Sequence, residues 1–216
     1  MRQSLEEGLA ILVGLLGQMG QEVDAMLHGA IVSLTVLDQE QARRWILHDE
    51  LVNALELQVN EECVRLIVTQ QPVARDVRKI VSAMKIATDL ERMADLAVGI
   101  AKVVNRVEGP LIKPLIDVPK MADLAIRMIQ QGLKAYELED VSMAGKLAEL
   151  DDEIDHLYKM VVKELLSLMG LHPEMTNQGM QLSFVARYIE RIADHATNIG
   201  EHVFYIATGE RKDLNA

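Results

Sequence analysis

Apolar residues recur every three or four positions from the start of the chain: Leu5, Leu9, Leu12, Leu16, Met19, Val23, Met26, Leu27, Ala30 and Leu34. This spacing draws one stripe along an α-helix and predicts a first helix over about Ser4–Leu37. Asp38 suits the N-cap of a second, about Gln39–Thr69, whose stripe carries Trp45, Leu51, Leu55, Val59 and Leu66. Pro72 in "TQQPVARD" ends that helix and opens a third, about Val73–Arg106. Pro110, Pro114 and Pro119 then fall within ten residues, which no helix survives. Three more helices follow, about Pro119–Tyr136, Val141–Met169 and Glu174–Thr208, with Gly170 as a C-cap and Pro173 opening the last.

The pattern is all-α, and it repeats. Ala87–Ala101 set on Ala186–Gly200 matches at 7 of 15 positions, at a spacing of 99 residues. "LHDELVNALELQV" from Leu47 matches "LDDEIDHLYKMVV" from Leu150 more loosely. The reading is a tandem repeat of two three-helix bundles. The first covers residues 1–108, a Pro-rich linker 109–118, and the second 119–216. Each half is long enough to bury its own core with few contacts crossing, and Lys113 and Asp117 are expected to keep the linker solvated.

Composition narrows the class. Half the chain is hydrophobic but only 3% is aromatic, a mix suited to helix packing rather than a β-sandwich. A net charge of −11 argues against nucleic acid and for cations or basic protein surfaces. The single cysteine, Cys63, excludes an internal disulfide and fits a reducing compartment as a small buried residue. Leu9–Leu16 is too short to span a bilayer, and Glu6 and Glu7 stand where a secretory signal carries positive charge. A cytoplasmic protein is expected.

The candidate chemistry is acidic. In "YIERIADHATNIGEHV", Glu190, Asp194, Thr197, Asn198 and Glu201 share one helix strip, while Ala193, Ala196, Ile199, Val203 and Ile206 turn to the core. His195 and His202 edge the strip. Carboxylate, amide and hydroxyl oxygens suit a hard cation or, with the histidines, iron, manganese or zinc. The first copy keeps Glu91 and Asp95 but replaces the two later positions with Gly99 and Lys102. The second helix of each half offers further carboxylates: Asp49 with Asn53, Asp152 with His156, and Asp151 with Asp155. The candidate metal ligands are therefore Glu91, Asp95, Glu190, Asp194, Asn198, Glu201, Asp49 and Asp152. The plain alternative is a solvated face, with Arg92 and Arg191 making ion pairs. "GLLGQMG" lacks the ending of a P-loop, no nucleophile elbow occurs, and His28, His48 and His172 read as surface or cap residues.

"QPVARDVRKIVSAMKIATDLERMADLAVGIA" and "ARYIERIADHATNIGEHVFYIATGE" resemble the two signature regions of the PhoU phosphate-signalling family, and the resemblance spans essentially the whole chain. It implies a cytoplasmic, non-enzymatic accessory protein of the Pst phosphate ABC transporter. Such a protein keeps the phosphate-starvation response off, acting between the transporter's ATPase subunit and a PhoR-type sensor histidine kinase. The resemblance further implies a homodimer, contact with membrane only through partners, and metal at Glu91 and Asp95 and at Glu190 and Asp194, with iron or zinc ahead of manganese or magnesium. Gly99 and Lys102 depart from the fuller second motif. A carboxylate-bridged metalloenzyme or a metal-storage bundle is the alternative. Neither motif helix carries the Glu-x-x-His of such enzymes, which favours the regulator.

Overall fold

The computed structural model describes residues 2–214, and the described residues form helices with no β-strand. The first half is α1 (Arg2–Val36), α2 (Gln39–Gln70) and α3 (Arg75–Val104). The second is α4 (Asp117–Leu138), α5 (Val141–Gly145), α6 (Leu147–Leu171) and α7 (Thr176–Thr208). Three helix ends differ from the sequence reading. The helix expected over Val141–Met169 breaks at Lys146, where a tightened turn lays Ala144 and Leu147 against Gly200 of α7. The Gln131 side chain donates to the Met143 carbonyl at this break, at 2.9 Å. Gly170 stays inside α6 rather than capping it, and Pro173 starts a single 3₁₀ turn before α7.

The repeat is written in the turns. Leu37 takes a left-handed φ of 56°, the Asp38 amide reaches back to the Ser33 carbonyl at 2.9 Å, and the Asp38 carboxylate caps the Gln41 amide at 2.9 Å. Glu139 takes φ 52°, the Asp140 amide reaches the Ala135 carbonyl at 2.9 Å, and Asp140 caps the Met143 amide at 3.0 Å. Both are helix ends closed by a left-handed residue and followed at once by an Asp N-cap. The two turns are 102 residues apart, and at that offset buried positions coincide: Met19 with Met121, Met26 with Met128, Val52 with Ile154, Val59 with Val161, Cys63 with Leu165.

The halves do not bury separate cores. One contiguous apolar cluster runs through both, with α3 packed along α7 and α1 along α4. The cause is α3 itself. Leu90, Met93, Ala94, Leu96, Ala97, Val98, Ile100, Ala101, Val103 and Val104 are all buried, so this helix is apolar over most of its circumference. Such a helix has to be covered on several sides. Gly99 permits the approach: a Cβ there would sit 3.1 Å from the Tyr188 ring. Polar ties reinforce the seam. Arg78 donates to the Ile206 carbonyl at 3.1 and 3.2 Å, and the buried Tyr136 hydroxyl donates to the Lys79 carbonyl at 3.3 Å. The segment between α3 and α4 is tethered to the second half, although Glu108, Gly109, Pro110, Pro114 and Ile116 stay exposed. Gln178 donates to the carbonyls of Pro110 (3.1 Å) and Glu108 (3.3 Å), and Lys113 pairs with Glu164.

Candidate acidic sites

Two acidic patches lie at equivalent places in the two halves, each between the second and third helices of its repeat. In the second half, Glu190 and Asp194 on α7 face Asp151 and Asp155 on α6, close enough that their charges act on one another. Glu190 is only 8% exposed, so the strip is no solvated helix face. One Glu190 oxygen takes a hydrogen bond from Arg187, while Oε2 is buried with no donor among the described residues. Burial, then the charges of Asp194, Asp155, Glu190 and Asp152, pushes the Asp151 carboxyl up to about 7. Burial likewise raises Glu190, with Asp194 adding to it, and raises Asp194 against the pull of Arg187. Asp155 is paired with Lys159 at 3.0 Å.

In the first half, Asp49 on α2 meets Glu91 and Asp95 on α3. Burial and the Asp95 charge raise Asp49, which takes a 3.3 Å hydrogen bond from Asn53 on one oxygen and leaves Oδ1 buried without a donor among the described residues. Burial and Asp95 raise Glu91, and Glu56 adds to the crowding. This patch carries its own counter-charges: Arg92 lies 3.5 Å from Glu91 and 3.4 Å from Asp95, and Lys102 draws on Asp49.

The sequence-predicted ligands divide accordingly. Glu91, Asp95 and Asp49 gather in one patch, and Glu190 and Asp194 in the other. Asp152 is exposed, and Asp151 and Asp155 take its expected place. The offset of 102 explains this: it pairs Asp49 with Asp151 and Asn53 with Asp155, whereas the sequence match from Leu47 and Leu150 slipped by one residue. Asn198 and Glu201 are turned to other partners. Asn198 donates to Asp89 at 3.0 Å, and Glu201 accepts the Leu214 amide at 3.0 Å, holding the C-terminal tail. Thr197 is fully buried, donating to the Asp194 carbonyl at 2.7 Å.

Asp89 is a carboxylate that sequence reasoning passed over. It projects from α3 into the seam with α7, 14% exposed, where His195 contacts it at 2.9 Å and His202 at 3.5 Å. Burial alone would raise Asp89, but hydrogen bonds from His195, His202 and Asn198 hold it below the ordinary carboxylate range. The 99-residue offset could have exposed the pairing, because it sets Gly99 against Asn198 and Asp89 against Tyr188. The Gly99–Tyr188 contact and the Asn198–Asp89 hydrogen bond are then the same crossing seen from the two halves.

Oxygen donors on two helices, with one oxygen in each patch unsatisfied among the described residues (Asp49 Oδ1 and Glu190 Oε2), fit a cation in chemistry and charge. The fit is of donor type rather than of a finished cage. Among the described residues no three His, Cys, Asp or Glu side chains are already gathered closely enough to hold an ion.

A tandem three-helix repeat, fused through one seam and carrying a carboxylate patch in each half, defines the class. The sequence model of the PhoU domain matches residues 16–104 and again 118–203, and the chain belongs to the PhoU family. A "Phosphate-specific transport system accessory protein PhoU homolog" from Clostridium acetobutylicum is 34% identical over 216 residues, covering 99% of each chain. One so named from Zymomonas mobilis is 34% identical over 210 residues, covering 97% of this chain and 89% of the relative. The crystal structure of PhoU from Pseudomonas aeruginosa superposes with a TM-score of 0.89 at 30% identity, covering 95% of this chain and 99% of that one. The crystal structure of the phosphate transport system regulatory protein PhoU from Streptococcus pneumoniae gives 0.90 at 31% identity, covering 97% and 99%. No helix among the described residues is long and apolar enough to cross a membrane.

Proposed function

We propose that this chain is a non-enzymatic regulator of phosphate uptake and of the phosphate-starvation response. It acts in the cytoplasm between the ATPase subunit of a phosphate ABC transporter and a sensor histidine kinase. The observation that carries the reading is full-length similarity, 34% identity over 99% of both chains, to a protein named for its accessory role in phosphate-specific transport. The fused seam supports it, since a protein that reports one partner's state to another needs its two halves held in a fixed relation.

The acidic patches bind metal cations in this reading, iron or zinc foremost. Asp151, Asp155, Glu190 and Asp194 would hold one group, and Asp49, Glu91 and Asp95 the other. The cation supplies positive charge between two helices whose carboxylates otherwise repel one another. The unpaired oxygens of Glu190 and Asp49 support this assignment, as does the crowding that lifts Asp151. The second patch is the stronger, because Lys102 and Arg92 already offset part of the charge in the first. With a net charge of −11, contact with the ATPase should draw on basic partner surfaces and weaken as salt rises. Binding of the purified ATPase subunit to the immobilised chain at low and high ionic strength tests this. Salt-sensitive capture supports the reading, and absence of capture at low salt removes that partner.

A further inference from the structure

Between α1 and α4, apart from both acidic patches, lies a cavity of about 330 Å³. This is near the lower end of the roughly 300–1,000 Å³ range of small-molecule pockets. Leu16, Ile129 and Leu133 give it largely apolar walls. Gly17 keeps the α1 side open, since a Cβ there would meet nothing within 4 Å. Three charged residues, Asp24, Lys134 and Glu137, break the apolar lining. The Asp24 carboxylate accepts from Gln130 Nε2 at 2.8 Å through Oδ2, while Oδ1 is buried and has no donor among the described residues. Lys134, the cation among the lining residues, is bound to Glu137 at 2.8 Å. Burial pushes Asp24 up to about 6, so at neutral pH the group is mostly ionised.

A partly buried carboxylate with an unused oxygen destabilises the protein until something positive meets it. A bare metal ion is ill suited, because Lys134 already holds the Glu137 carboxylate, and Asp24 with the amides of Gln21 and Gln130 leaves much of its coordination sphere empty. An anion is repelled. We infer that the α1/α4 cavity binds an organic cation: an ammonium or guanidinium head at the Asp24 carboxylate, with a short apolar stem along Leu16, Ile129 and Leu133. That chemistry has two sources, a free cellular amine or the Lys or Arg side chain of a partner protein. Because the cavity spans the seam between the halves, its occupant touches both repeats at once.

The test is an NMR titration of the full chain with n-butylguanidinium, with n-butanol as the stem without the charge. The expected result is saturable shifts at the Gly17 and Gly20 amides and the Gln130 side chain with the cation, and none with the alcohol. Asp24→Asn should weaken binding at least tenfold. Gly17→Leu fills the cavity without touching the carboxylate and should abolish binding in a folded protein. A blocked pentapeptide with a central arginine separates the sources. Binding as tight as the free cation's assigns the cavity to a partner's side chain, and binding at least tenfold weaker assigns it to a free amine. Absence of shifts at these residues overturns the inference, as does an equal response to n-butanol. So does a folded Gly17→Leu or Asp24→Asn variant that binds like the parent.

Discussion

Asp151→Asn should make the metal-free protein more stable at pH 8. The Asp151 carboxyl is lifted from 3.8 to about 7 by burial and by its acidic neighbours. The folded protein therefore holds that proton more tightly than the unfolded chain does. Stability from this group is fully present below about pH 4 and is lost as pH rises to about 7. The full electrostatic equivalent is at most about 4 kcal/mol. The side chain is only half-buried, and solvent and counter-ions screen this to about 1–2 kcal/mol. Asn removes the charge and keeps the shape, so the variant should gain that amount at pH 8, a rise of about 2–6 °C in Tm for a chain of this size. Thermal and urea unfolding in chelator, at pH 4 and pH 8, measure it. The gain should vanish at pH 4. Added Zn²⁺ should then stabilise the parent more than the variant, because the variant has lost an anionic ligand. A variant less stable than the parent at pH 8 without metal would rule out repulsion at Asp151, as would a difference independent of pH. Either result would make Asp151 a structural group rather than one of a set of mutually repelling carboxylates.

Glu190→Gln combined with Asp194→Asn should lower the metal content of protein purified without chelator, by elemental analysis, with the helical circular dichroism signal retained. The matching pair at Glu91 and Asp95 should lower it less, given Arg92 and Lys102. Asp89→Ala leaves His195 and Asn198 without their acceptor in the α3/α7 seam and should cost about 2–4 kcal/mol in urea unfolding. Residues 1–108 and 109–216 expressed separately should each be poorly folded and should recover native helicity on mixing, because α3 and α7 cover one another. Two fragments that are each stably helical alone would contradict the shared core.

The helices were legible because their apolar stripes are long and their breaks carry Asp38, Pro72 and the proline cluster. The second Asp cap was harder to see. Asp140 follows Glu139 in a left-handed turn, a position with no glycine to announce it, yet that turn fixes the register of the repeat. Aligned one residue out, α2 and α6 offered Asp152, and a single step round a helix moves a side chain by about 100°. Glu190 and Asp194 were readable from their spacing, whereas the departure of Asn198 to Asp89 depends on a helix 109 positions away. The shared core had a signal in the sequence: "MADLAVGIAKVV", Met93–Val104 of α3, is apolar but for Asp95 and Lys102, too narrow a polar strip for a helix covered by one bundle alone. The break at Lys146 follows Gly145, a poor helix former, and lies where Ala144 and Leu147 approach Gly200.

Whether the chain restrains the phosphate-starvation response is decided in the cell that encodes it. A phosphate-starvation promoter fused to a reporter is read in phosphate-rich medium, with the gene deleted and then restored as the parent or as the Glu190→Gln, Asp194→Asn variant. Deletion should give high reporter output, the parent should restore full repression, and a variant present at parental levels should repress incompletely. Unchanged reporter output on deletion would contradict it.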